Sequence, residues 1–319
     1  MRRAAAKRQS RIRPGARSGC QAVAVDPRKR GHECRAATIG PVSEQVSRRA
    51  VVAVLLLLVP GAAPLPDLPV LPPEIRDLWP GRTVVSRGRH SVVALHKPAG
   101  HEPAGHDSAG LADLARRADT AGLRVSAVLG GRVRPLVVVP ESAREAAALA
   151  GVDRLDGLAA VADRGRVIVV PELFATLNPT GKDVVLTHEL THVVAGTEGL
   201  PVWLYEGFAD YVAYRDAGLP VATAAAELAV EARAGRLPSA LPGPAAFAAD
   251  GSDPVRLARA YQEAWLACRF LADRFGEGTL VRLYRAAQRA GVDRALASLG
   301  LSVATLTARW REYVRDQLV

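Results

Sequence analysis

The sequence predicts an α+β fold: a small N-terminal lobe of mixed α/β structure, then a mainly helical lobe, with any site expected in the cleft between them. Two patterns carry this. Short apolar runs rich in β-branched residues and bounded by Pro or Gly lie before Gly181. Beyond Gly181 apolar residues recur at helical spacing, in blocks at about 182–196, 202–216, 220–234, 254–275, 277–290 and 302–317. A chain of 319 residues with 49% apolar and 23% charged side chains has the composition to bury a sizeable core.

Residues 1–47 read as a disordered basic leader, 48–63 as a signal-peptide-like segment, 64–80 as a Pro-rich linker and 81–319 as one domain, divided into lobes at 81–180 and 181–319. Ser47-Arg48-Arg49 runs directly into ten apolar residues, Ala50 to Val59, and then Pro60-Gly61-Ala62-Ala63. Ten residues cover only about half of a bilayer core, and the prolines that follow block extension as a helix. A cleaved export signal is expected, with transient membrane contact through it alone and a secreted or cell-surface protein from a bacterium.

The net charge of +10 belongs to that leader: residues 1–63 hold 13 Lys and Arg against 3 Asp and Glu, and the rest is balanced. No nucleic-acid partner is expected, because phosphate binding needs a surplus of cations. Cys20 and Cys34 lie in the leader and Cys268 in an apolar helical run, so Cys268 is expected to be a buried, inert thiol.

In the first lobe, Thr83–Val85, Ser91–Leu95, 134–140 and 166–170 read as strands, with a helix over 142–150. His96, His101 and His106 head a five-residue echo whose Gly and Pro predict a solvated loop. Asp107 or Ser108 then caps a helix with Leu111, Leu114, Ala115 and Ala118 on one face.

Thr187-His188-Glu189-Leu190-Thr191-His192 lies in the first helical block. Spacing of four puts both imidazoles on one face of a helix, close enough to share a cation. Glu189 is rotated about 100° from His188, beside such a metal but off its ligand axis, placed to take a proton from a water. In the next helix Glu206 and Asp210 are again four apart. Glu206 is the candidate third ligand, and Asp210 the acceptor for the second N–H of a ligating histidine. Two imidazoles and one carboxylate leave a fourth position open, the catalytic form of a zinc site. A di-iron bundle would need Glu-x-x-His twice, and no histidine follows His192.

His-Glu-Leu-Thr-His followed by Trp203-Leu-Tyr-Glu-Gly-Phe-Ala-Asp-Tyr211 resembles the gluzincin metallopeptidases, the thermolysin-like superfamily, and most closely their bacterial peptidase MA branch. The resemblance implies a zincin-like helical lobe, one Zn2+ per chain on His188, His192 and Glu206, Glu189 as general base, Asp210 behind the ligands, and a peptide or protein substrate. The short His-to-Glu spacing departs from thermolysin itself, and the Gly-x-Met-Glu-Asn signature of the aminopeptidases is missing. The downstream histidine that assists the oxyanion in the thermolysin group has no counterpart. Of the six tyrosines, Tyr261 is the candidate donor, since it opens a long helix within the segment that resembles the family. The expected activity is zinc-dependent peptide-bond hydrolysis; the alternative is a catalytically silent exported zinc-binding or scaffold protein.

Overall fold

A computed structural model describes residues 75, 77–80, 82–97, 105–248 and 253–319. The leader, the signal-like segment, most of the Pro-rich stretch and His101 lie outside them. Strands β1 (Thr83–Arg87), β2 (Val92–His96), β3 (Leu136–Val139), β4 (Ala160–Asp163) and β5 (Arg166–Val169) form one mixed sheet in the order β1-β2-β3-β5-β4. β2, β3 and β5 are parallel, and each outer strand is antiparallel to its neighbour. The helices are α1 (Gly105–Leu129), α2 (Ala143–Ala150), α3 (Pro171–Thr176), α4 (Pro179–Ala195), α5 (Val202–Tyr214), α6 (Val221–Ala224), α7 (Ala226–Arg233), α8 (Pro254–Phe275), α9 (Glu277–Ala290), α10 (Val292–Ala297) and α11 (Val303–Leu318). The architecture is α+β, a mixed sheet followed by a helical C-terminal part.

The central strands are apolar throughout because both faces of the sheet are covered. Val93, Val137, Val167 and Val169 point into a core that runs without a break to Leu318 on α11. Their neighbours Val92, Val138 and Ile168 pack on the opposite face, against Ile75 and Trp79 or against Ala146 and Ala147 of α2. Ile75 and Trp79 fall within the stretch read as a linker, yet they are buried against the sheet. Ordered structure therefore starts ahead of Pro80, where two large apolar side chains plug a face that strands alone leave open.

Helix α1 begins at Gly105, ahead of both Asp107 and Ser108, so neither is its N-cap. The first two echoes place Pro98 and Pro103 where the third has Ser108, and without a proline the third repeat joins the helix. His96 is not a loop residue either. It ends β2, stacks on Trp79 with ring centroids 4.7 Å apart, and lies 2.9 Å from Glu145.

Other differences trace to contacts distant in sequence. β4 is Ala-rich and gives little strand signal; it forms as the outer arm of a two-residue hairpin in which Arg164 and Gly165 both have positive φ. The block expected at 220–234 breaks at Ala225, where Gln262 of α8 accepts the Leu228 amide and starts α7 from outside. The blocks at 254–275 and 277–290 appear with those bounds. Cys268 is fully buried, and burial pushes its thiol well above the ordinary range, as expected of an inert cysteine.

Helices α5 and α8 cross with their backbones in contact at Gly207. A Cβ there would lie 2.1 Å from the Ala264 carbonyl oxygen. Gly207→Ala is therefore expected to force the helices apart and to lower stability in urea unfolding by at least ~1–3 kcal/mol. An unchanged unfolding midpoint would show that this crossing is not tight.

Candidate metal centre

Asn178 caps α4 by accepting from the Gly181 amide, Pro179 occupies its first turn, and Gly196, at φ 70°, ends it. Its last carbonyls are held by α9: Tyr284 donates to Gly196 and Gln288 to Ala195. Gly196 and Gly199, both at positive φ, then reverse the chain into α5. The two helices are thereby locked antiparallel-wise close together, with the sheet edge on one side and α8 on the other.

That packing brings the sequence-predicted residues together. His188 Nε2 and His192 Nε2 are 3.0 Å apart, and Glu206 Oε2 is 3.1 Å from the first and 3.3 Å from the second. Zinc bonds of ~2.0–2.1 Å to a tetrahedral set hold neighbouring donors ~3.3–3.4 Å apart, so this triangle is the right size, slightly contracted. Among the described residues it is the group able to hold a metal ion. Asp210 Oδ1 accepts from His188 Nδ1 at 2.7 Å, which fixes the ring and turns Nε2 toward the centre.

Every member is deeply buried: His188 and Glu189 are 0% exposed, Glu206 1%, Asp210 2%, Tyr261 3% and His192 4%. The group lies at the junction between sheet and helices, in a closed seam instead of the expected cleft. Burial opposes a charge on His188, yet Asp210 and then Glu206 hold its imidazole well above the ordinary value. Burial lowers His192, which has no such carboxylate of its own behind the ring. Burial works to raise Glu206, but its hydrogen bonds from both histidines keep it low. Asp210 is raised by burial, against the pull of His188.

Glu189 lies beside the triangle and against Ala162 of β4, with Oε1 4.0 Å from His188 Nε2. Burial pushes its carboxyl up to about 8. The Ala162 backbone hydrogen-bonds to it and works against that rise, while among the described residues His192 Nδ1 has no hydrogen-bond partner. Buried polar atoms are seldom orphaned, which sets the His192 ring apart from that of His188 with its Asp210 partner. The two threonines of the motif take no part, since each hydroxyl donates to a carbonyl one turn back along α4.

Tyr261 enters from α8 with its ring edge-on to His188 at 6.1 Å. Burial, then Glu206, Asp210 and Glu189, keep its hydroxyl protonated well above the ordinary range. A second tyrosine was not singled out by sequence: Tyr205 lies edge-on to His192 at 5.9 Å. The available signal was its place directly before Glu206 on the same helix.

No protein-family model matches the chain, and no curated protein matches it. The geometry predicts one metal ion per chain. Elemental analysis after zinc reconstitution should find Glu206→Ala depleted, and Asp210→Ala should bind ~10- to 100-fold more weakly. Equal zinc in wild type and Glu206→Ala would contradict the ligand set.

Proposed function

We propose that this protein is a zinc-dependent peptidase, with a zincin-like fold of the gluzincin type close to the peptidase MA branch. The observation that carries this reading is the Glu189 carboxyl group, fully buried with Oε1 4.0 Å from His188 Nε2, beside the converging donors of His188, His192 and Glu206. Two imidazoles and one carboxylate suit zinc, and they leave room for a further ligand. Bound there, the ion would supply Lewis acidity, lowering the pKa of a water and polarising a carbonyl oxygen.

The chain's own groups do the rest. Glu189 accepts a proton from the attacking water and returns it to the leaving amine. Asp210 holds the His188 ring in the tautomer that presents Nε2. Tyr261 donates a hydrogen bond to the oxyanion of the tetrahedral intermediate. The basic leader and the apolar run before Pro60 support export, with peptides or proteins outside the cell as substrate.

A second reading, a catalytically silent exported zinc-binding or scaffold protein, is favoured by one observation: no ligand is more than 4% exposed, as in a structural site. Glu189→Gln separates the two. A peptidase loses about 10²- to 10⁴-fold in hydrolysis while keeping its zinc. A silent protein shows no zinc-dependent cleavage in either form. Wild type and Glu189→Gln cleaving equally fast would refute the mechanism.

Tyr261→Phe should lower kcat by at least ~10-fold with zinc content unchanged, as removal of an oxyanion donor does. Unaltered kcat would transfer that role to another donor.

A further inference from the structure

A cavity of about 470 Å³ adjoins the metal centre and shares two residues with it, Asp210 and Tyr261. Its remaining wall combines apolar side chains such as Val184 and Val255, the aromatic pair Tyr214 and Trp265, and the carboxylate of Glu227. Among the described residues no Lys, Arg or His lines it. Four described cations on neighbouring segments are engaged elsewhere. Lys182 lies over the Phe174 ring, and Arg256 donates to the carbonyls of Ala245, Ala246 and Ala248. Arg259 faces Glu231 and Glu263, and Arg269, on the Trp265 ring, is held by Tyr313 and Asp273.

Glu227 is held in place without being neutralised. Its Oε2 accepts from Gln262 Nε2, and Gln262 is itself fixed by the Leu228 amide. The charge is felt within the cavity: burial, then Asp210 and Glu227, raise the Tyr214 hydroxyl above its ordinary range. An apolar shaft with aromatic faces and an uncompensated carboxylate fits a long aliphatic stem that ends in a cation.

We propose that this cavity is a specificity pocket for a lysine or arginine side chain of the substrate, with Glu227 as the residue that selects the charge. The proposal rests on the peptidase reading above for its substrate, but its binding chemistry does not depend on catalysis. Asp210 already pairs with His188, which leaves Glu227 as the free counter-charge.

The test compares N-acetyl-arginine amide with N-acetyl-citrulline amide, its neutral isostere, by ligand-observed NMR titration of the zinc-loaded full chain. Wild type should bind the arginine compound at least ~10-fold more tightly, the scale of one charge-assisted contact. Glu227→Gln, which retains an acceptor for Gln262, should bind the two alike. Equal binding of both compounds to wild type, or a preference that survives Glu227→Gln, would overturn the pocket. In a parallel peptide library, cleavage should favour Arg or Lys over citrulline or Glu at one substrate position. Selective arginine binding with no hydrolysis of any peptide would uphold the cation pocket and overturn the peptidase reading instead.

Discussion

Five ionisable side chains share one dry seam of this protein, and their charge balance governs the site. Glu189, Glu206 and Asp210 bring three carboxyl groups against two imidazoles, and all five are at most 4% exposed. None of their ion pairs among the described residues involves Lys or Arg. Burying carboxylates without compensation is costly, and two histidines 3.0 Å apart cannot both carry a proton comfortably. A divalent cation on the three convergent donors relieves both problems at once, since it replaces the proton the imidazoles would contest and offsets the carboxylates.

The rest of the fold holds this arrangement together. The Gly207 crossing sets α5 against α8, so the same contact positions Glu206 and Asp210 on one helix and Tyr261 on the other. Tyr284 and Gln288 tie the end of α4 to α9, which leaves the turn into α5 little freedom. On the other side β4 closes over Glu189. The short hairpin at Arg164 and Gly165 that creates β4 is thus part of what shuts water away from the carboxylate.

The centre was legible in sequence because helical geometry converts spacing into direction: residues four apart must share a face, and two such pairs identify four of its side chains. The fold class and the long blocks on α8 and α9 were legible for the same reason. What was not legible depends on partners remote in sequence. β4 needs β5 beside it, the break at Ala225 needs Gln262, and the burial of Ile75 and Trp79 needs an open sheet face. The placement of Asp107 and Ser108 inside α1 was missed because a capping residue looks the same one turn into a helix as at its start. Closure of the seam has no local signature, since it arises from four elements meeting.

The same closure bears on activity, because buried groups serve catalysis only if substrate can reach them, and a cavity behind Asp210 and Tyr261 adjoins the centre. Underlying both functional readings is the claim that the seam is a metal site built from nitrogen and oxygen donors. X-ray absorption at the zinc edge of the reconstituted protein tests that claim most directly. The account predicts a four-coordinate ion with two imidazole nitrogens and light oxygen donors at ~2.0–2.1 Å. Sulfur scattering near ~2.3 Å, or a spectrum unchanged by Glu206→Ala, would contradict it.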